Sequence, residues 1–235
     1  MRKLRELSIF FPAYNEGKNI EKTVKAAVLI APKVADKWEV IIVNDGSRDD
    51  TLSVSESLSK RQANVRTINH PKNRGYGAAL KTGFYRSKYE WVAFTDADGQ
   101  FDFKEITKFI EKQEETGAKL VIGYYKQRSV PFFRKVNTFL WETVVFVMFG
   151  LRVRDIDTAF KLVHRDVIEK IPKLESERGA FISSEFLIKA RRAGFEMPEV
   201  GITHYPRVEG SGTGANIDVI IQSFVDLFKL WRKLK

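Results

Sequence analysis

The 235-residue sequence predicts an α/β fold: a Rossmann-like, mainly parallel sheet flanked by helices, with amphipathic helices added in the C-terminal half. Three observations lead there. Short apolar runs alternate with stretches of helical length and periodicity through the first half. A polar loop follows each of the first four runs. With 43% hydrophobic residues, the chain also carries enough apolar side chain for a large core.

The first run, Leu7–Phe11, reads as a strand and is followed by Pro12-Ala-Tyr-Asn-Glu16. The second, Glu39–Val43, is followed by Asn44-Asp-Gly-Ser47. Val65–Ile68 leads into Asn69-His-Pro-Lys-Asn-Arg-Gly-Tyr-Gly77, Trp91–Phe94 leads into Asp96-Ala-Asp-Gly-Gln100, and Leu120–Ile122 makes a fifth strand. Such a βα series predicts a parallel sheet covered on both faces. Its ligand belongs at the carboxyl ends of the strands, where the polar loops lie.

The second half changes character. Phe132, Phe133, Val136, Phe139, Leu140, Val144 and Val147 recur at helical spacing across Pro131–Leu151 and give that helix an aromatic face. A charged segment, Arg152-Val-Arg-Asp-Ile-Asp157, follows; then come a helix over Ser183–Arg192 and a Gly- and Ser-rich loop, Glu209–Gly214. The last helix places Ile217, Ile220, Ile221, Phe224, Leu227, Phe228 and Trp231 on one side and ends in Lys229, Arg232, Lys233 and Lys235.

Composition narrows the function. There is no cysteine, so disulfides, thiolate metal sites and a thiol nucleophile are excluded, and a reducing compartment is the economical reading. The basic start, Met1-Arg-Lys-Leu-Arg5, runs straight into a strand and lacks the apolar core of a signal peptide. The uncharged stretch Thr143–Leu151 falls well short of the roughly 20 residues that span a bilayer. Forty basic against thirty acidic side chains give a net charge of +10, which favours a polyanionic partner: nucleic acid, an anionic membrane surface or a phosphorylated substrate.

Five local patterns carry chemistry. Asp96 and Asp98 flank one alanine at a strand mouth, where two hard carboxylates can converge on Mg²⁺ or Mn²⁺ and leave positions open for phosphate; a solvated acidic turn is the plainer alternative. Asp45 can accept a ring N–H from a nucleobase, or it can cap the next helix. Asn73-Arg-Gly-Tyr-Gly77 offers backbone N–H groups and the Arg74 guanidinium to a ribose or diphosphate, but Leu80 breaks the dinucleotide fingerprint and disfavours a dehydrogenase. Asp155 or Asp157 can act as a general base, and Lys161 can hold a phosphate, or the two aspartates can pair with Arg152 and Arg154. His204 and Arg207 on one extended segment can clamp a phosphate.

In this order the motifs resemble glycosyltransferase family 2, and in detail its dolichyl- and polyprenyl-phosphate sugar transferases, including the dolichol-phosphate mannosyltransferase-like members. The resemblance rests on Phe11–Glu16, Val43–Ser47, Asn73–Ala79, Asp96–Gln100, Asp155 through Phe160-Lys161, and His204–Arg207. It implies a GT-A fold, a nucleotide-sugar donor, a Mg²⁺ or Mn²⁺ cofactor and inversion at the anomeric carbon. Pro12, Tyr14, Glu16, Asp45, Arg74, Gly75, Gly77, Ala97 and Arg128 would line the nucleotide-sugar site. Asp96, Asp98 and Gln100 would face the metal and diphosphate. Lys161, His204, Arg207 and Ser211 would meet the acceptor, and Asp155 matches the family's aspartate better than Asp157. The implied organisation is one catalytic domain over 1–215, with a nucleotide-sugar half at 1–125, an acceptor half at 126–215 containing helix 131–150, and a basic helix at 216–235.

Three departures from the family pattern stand out. Asn44-Asp45 replaces a pair of aspartates, Ala159 replaces a common glycine, and no segment of this sequence is expected to form the C-terminal membrane domain of many prenyl-phosphate transferases. An ionised lipid phosphate needs cations and no base, whereas a sugar hydroxyl needs a carboxylate base; Lys161, Arg207 and the basic charge favour the phosphate. The expected setting is peripheral, on the cytoplasmic face of an anionic membrane, with a small membrane-anchoring subunit as a possible partner. The rivals are a soluble family 2 enzyme extending a glycan with an Asp155 or Asp157 base, and a basic nucleic-acid-binding module, against which the dispersed basic residues argue.

Overall fold

The structure, a computed structural model, describes residues 1–126, 132–177, 179, 181–206 and 217–234. Its strands are β1 (Leu4–Ala13), β2 (Ala35–Asn44), β3 (Val65–Asn69), β4 (Trp91–Phe94), β5 (Leu120–Tyr125), β6 (Lys161–His164) and β7 (Glu199–Ile202). Between and after them come α1 (Gly17–Val34), α2 (Thr51–Arg61), α3 (Tyr76–Arg86), α4 (Ile106–Thr116), α5 (Phe132–Phe149), α6 (Arg165–Lys170), α7 (Phe181–Arg192) and α8 (Ile217–Leu234). All five expected strands form, and β1 and β2 run longer than their apolar runs because their parallel pairing begins earlier, at Leu4 and Ala35, and continues to Ala13 and Asn44.

The sheet has seven strands in the order β3-β2-β1-β4-β6-β5-β7. It is mixed rather than purely parallel: β6 runs antiparallel to both β4 and β5, while the remaining pairs are parallel. Reversal of β6 has a functional consequence. Lys161, its first residue, lies in register with Phe94 at the end of β4 and Ile122 in β5, so the start of β6 shares the edge where β4 ends.

Strand alternation divides the core into two layers. Leu7, Ile9 and Phe11 of β1 pack with Ile20, Val24 and Ala27 of α1 on one side of the sheet. Phe10 faces the other side, with Leu80 and Phe84 of α3 and Ile188 of α7. Each buried Phe of this kind stabilises the fold by roughly 1.5–3 kcal/mol. Phe10 stacks on Phe94 at 5.0 Å and meets Phe84 edge-on at 5.2 Å. Gly83 allows that closeness, since a Cβ there would sit 2.2 Å from the Phe10 ring.

Both aromatic helices divide their faces. Val145 of α5 and Leu227 and Leu230 of α8 are buried in the second layer, and Trp141 meets Phe224 at 5.1 Å where the helices touch. The outward stripes stay exposed: Phe139 (67%), Leu140, Phe146 and Val147 (75%) on α5, with Phe224, Val225 and Phe228 (53%) on α8. Among the described residues, no helix is long and apolar enough to cross a membrane.

Candidate active site

The ends of β1, β2 and β4 and the start of β6 meet along one edge of the sheet. Asp45 lies immediately beyond β2, its N–H bonded to the Ala13 carbonyl at the end of β1 at 2.9 Å. The side chain is buried and holds the loop from 70 to 75 together. Its Oδ1 lies 2.6 Å from His70 Nδ1 and accepts the Arg74 N–H at 3.0 Å. Its Oδ2 accepts the Gly75 N–H at 2.8 Å and Asn73 Nδ2 at 3.1 Å. Protein donors thus engage both oxygens of the residue expected to read the nucleobase, so Asp45 also holds the loop in shape. The Arg74 and Gly75 N–H groups are likewise committed to Asp45 and not presented to a diphosphate.

The Arg74 guanidinium pairs with Glu177 at 3.1 Å, and Lys81 reaches the same carboxylate at 3.0 Å. Gly75 adopts φ 102°, a conformation that favours glycine, and opens α3. Gly77 is needed for packing: a Cβ there would lie 2.6 Å from the Ser176 carbonyl oxygen. The segment around Ser176 is itself pinned from α7, where the buried Glu185 accepts the N–H groups of Glu175 and Ser176 and pairs with Lys189 at 2.6 Å.

Asp96 and Asp98 follow β4, with Asp98 buried. Tyr76, at the start of α3, donates its hydroxyl to Asp96 Oδ1 at 2.9 Å. Burial raises the Tyr76 pKa well above its ordinary value, and Asp96, Tyr125 and Asp98 push in the same direction. Asp98 Oδ1 accepts the Gln100 N–H at 3.0 Å, which folds the loop back on itself. Ala97 is core rather than lining: it is buried in the first layer, and its carbonyl accepts the Thr23 hydroxyl. Gln100 donates its Nε2 to the Tyr205 carbonyl at 3.0 Å and ties the 203–206 segment to the aspartate loop.

The acceptor-side motif reaches the same place through β6. Asp155 is buried, and its Oδ1 accepts the N–H groups of Asp157 at 3.0 Å and Thr158 at 3.1 Å, closing a tight turn. Lys161 is also buried, with Nζ donating to the Thr158 carbonyl and lying 5.7 Å from the Phe94 ring. Burial lowers its pKa to about 8, while Asp155, Asp157 and Asp96 act in the opposite direction. The ammonium is therefore a buried group donating within its own turn, in the electrostatic field of both aspartate motifs, and is not an exposed phosphate hook. The alternative pairing with arginine fails for Arg154, whose N–H donates to Glu199 at 2.6 Å and whose guanidinium lies 4.6 Å from the Tyr124 ring centroid.

Pro12 is buried opposite Val43, and Tyr14 is half-buried just past β1. Glu16 accepts from Asn19 Nδ2 at 2.8 Å in the first turn of α1. Asn44 uses both ends of its amide, donating to Asn69 at 2.7 Å and accepting the Ser47 hydroxyl at 2.5 Å, a dual role that an aspartate there could not fill. The Ala159 methyl packs into the second core layer. His204 packs edge-on to Tyr125 at 4.5 Å and Phe101 at 5.8 Å. Arg128, Arg207, Ser211 and the loop over 209–214 lie outside the described residues, as does Lys235.

No three His, Cys, Asp or Glu side chains gather as a metal cage among the described residues. Asp96 and Asp98 nevertheless fit a divalent ion of the kind that brings substrate phosphate and water as its other ligands, because such an ion takes only one or two protein carboxylates. The buried hydroxyls of Thr95 and Thr158, which lack a hydrogen-bond partner among the described residues, adjoin these motifs. Sequence reasoning passed over His70, Asn73 and the Tyr76 hydroxyl, although all three stand within the quoted loop. Only the polar density of that loop signalled them.

Comparison with known proteins agrees with the geometry. The family described as "Glycosyl transferase family 2" matches residues 8–172. Dolichyl-phosphate beta-glucosyltransferase of Saccharomyces cerevisiae is 32% identical over 241 residues, spanning 91% of this chain and 71% of that protein. Dolichyl-phosphate beta-glucosyltransferase ALG5A of Trichomonas vaginalis is 30% identical over 236 residues, spanning 95% of this chain and 72% of that protein. Glucosyl-3-phosphoglycerate synthase from Mycobacterium tuberculosis, solved with Mn²⁺, uridine-diphosphate and phosphoglyceric acid, shares the fold with a TM-score of 0.71 at 18% identity, covering 97% of this chain and 78% of that one.

Proposed function

The chain belongs to glycosyl transferase family 2, and from that premise we propose that it moves a hexose, with glucose the first candidate, from a nucleotide-diphosphate sugar to a polyprenyl or dolichyl phosphate. The observation that carries this reading is the antiparallel register of β6 on β4, which sets Lys161 opposite Phe94, two residues before Asp96, while Lys161 Nζ donates to the Thr158 carbonyl in the turn that Asp155 closes. That register supports a donor-side and an acceptor-side motif working at one strand edge. The names of the yeast and Trichomonas relatives support the lipid phosphate and the glucose.

Departure of a nucleoside diphosphate builds positive charge on the sugar ring and negative charge on the diphosphate. Asp96 and Asp98 would hold Mg²⁺ or Mn²⁺, which when bound supplies positive charge for the diphosphate. Asp45 fixes the loop that carries Arg74. The half-exposed Arg74–Glu177 pair is of a kind worth about 0–1 kcal/mol, so a diphosphate can exchange with Glu177 for the guanidinium. Lys161 offsets part of the carboxylate charge around it, which lowers the repulsion an anionic acceptor meets on approaching Asp155 and Asp157. An ionised lipid phosphate attacks without giving up a proton, so none of these carboxylates has to serve as base.

The exposed stripes of α5 and α8 form the surface that would meet the membrane holding such a lipid. They present Phe139, Val147 and Phe228 beside Lys229, Arg232 and Lys233. Apolar anchors with neighbouring cations suit an anionic interface.

The half-buried Asp157 favours one second reading, a glycan acceptor with Asp157 as base. The test is turnover of UDP-glucose, UDP-N-acetylglucosamine and GDP-mannose, each with Mg²⁺ or Mn²⁺ and a short polyprenyl phosphate, by wild type and Asp157→Asn. Lipid-dependent turnover that survives Asp157→Asn within about tenfold supports the phosphate acceptor and names the sugar. Turnover that ignores the lipid and collapses in that variant supports the glycan acceptor.

A further inference from the structure

The hydroxyl of Tyr76 reaches Asp96 from a segment that is itself held at both flanks. On one side the Gly75 N–H is bonded to Asp45 at 2.8 Å. On the other, the Ala78 N–H reaches the Glu177 carbonyl at 3.1 Å, and Gly77 lies against the Ser176 carbonyl. The Tyr76 ring packs on the second core layer, which removes freedom from the side chain before the hydroxyl is placed. Residues 75 and 76 therefore connect two carboxylates at the ends of β2 and β4, with β1 between those strands in the sheet. The bond to Asp96 Oδ1, at 2.9 Å, fixes how that carboxylate is turned.

We propose that Tyr76 is a positioning residue for the divalent ion: its hydroxyl sets the orientation of Asp96, leaving the carboxylate prepared for metal before the nucleotide arrives. This rests on the reading of Asp96 as a metal ligand. Partners that orient a ligating carboxylate typically change metal affinity by about 10–100-fold when removed.

The test uses the full chain as wild type, Tyr76→Phe, Asp96→Asn and the double variant. Mn²⁺ binding is followed by the loss of its free-ion electron paramagnetic resonance signal, with and without UDP or GDP, whichever the wild type binds. Nucleotide binding in EDTA is measured alongside by calorimetry. Tyr76→Phe keeps the ring, so the fold is expected to stand. The expected result is Mn²⁺ affinity lowered about tenfold or more in Tyr76→Phe, unchanged metal-free nucleotide affinity, and no further loss when the change is added to Asp96→Asn. Wild-type Mn²⁺ affinity in Tyr76→Phe, alongside a clear loss in Asp96→Asn, overturns the proposal. Equal losses of metal and metal-free nucleotide binding in Tyr76→Phe also overturn it, because they mark a purely structural role. Wild-type Mn²⁺ affinity in Asp96→Asn instead overturns the metal-ligand reading on which the proposal stands.

Discussion

Lys161 stands opposite Phe94 in the antiparallel register of β6 on β4, with its Nζ 5.7 Å from the centroid of the Phe94 ring. A cation held there is buried beside Asp96, Asp155 and Asp157, and its titration reports on the whole cluster. The folded chain releases this proton near 8, whereas an unfolded lysine keeps it to about 10.5. Between these values the unfolded state binds more protons, so folding stability rises with pH. Chemical denaturation in EDTA is expected to show wild type gaining stability relative to Lys161→Met from about pH 8 to about pH 10.5. Parallel stability curves for the two proteins would contradict the buried placement of this ammonium.

Asp45 is expected to matter for stability as well as for binding. Its oxygens accept from His70, Asn73, Arg74 and Gly75, and an amide in its place turns a donor toward other donors. Asp45→Asn should cost about 1–3 kcal/mol in urea denaturation and weaken nucleotide binding in the same variant. A variant of native stability that loses only nucleotide binding would return Asp45 to the role of direct base contact.

Gly77 separates packing from chemistry. A methyl at this position meets the Ser176 carbonyl oxygen at 2.6 Å, and relief requires α3 or the pinned segment to shift. Gly77→Ala is expected to lower stability by about 1–3 kcal/mol, read from the midpoint of thermal or urea unfolding. A neutral substitution would show that the Ser176 segment yields freely.

The outward stripes of α5 and α8 should bind anionic vesicles. Val147 and Phe228 are both more than half exposed, so replacing them by glutamate leaves the core intact. The double change Val147→Glu with Phe228→Glu is expected to reduce co-sedimentation with anionic vesicles by about tenfold or more, while turnover of a short, soluble prenyl phosphate stays near wild type. Equal sedimentation of both proteins would assign these stripes to another contact.

The legible part of the fold was the part whose signal is local. Phe10, Ile41 and Ala93 lie in short, fully buried apolar runs bounded by polar loops, and a reader of the sequence finds β1, β2 and β4 from those alone. Strand β6 has no such signal, because Lys161-Leu-Val-His164 begins and ends with polar residues and becomes a strand through its pairing with β4 and β5. The aspartate pairs were equally legible, since Asp96-Ala-Asp98 announces itself by spacing. Their partners were not: Tyr76 reaches Asp96 across 20 positions and Gly75 reaches Asp45 across 30, contacts that exist only once α3 is docked. The same reason explains Arg154, whose carboxylate partner Glu199 is 45 positions away and not in the neighbouring turn.

Mass analysis of the organic-phase product tests the central claim most directly. Wild type and Asp98→Ala are incubated with UDP-glucose, a divalent ion and a short polyprenyl phosphate, and the lipid fraction is weighed for an added hexose. Wild type is expected to yield a hexosyl prenyl phosphate and Asp98→Ala to lose it. Glucose released to water or joined to a glycan with the lipid unchanged, or equal lipid product from both proteins, would contradict it.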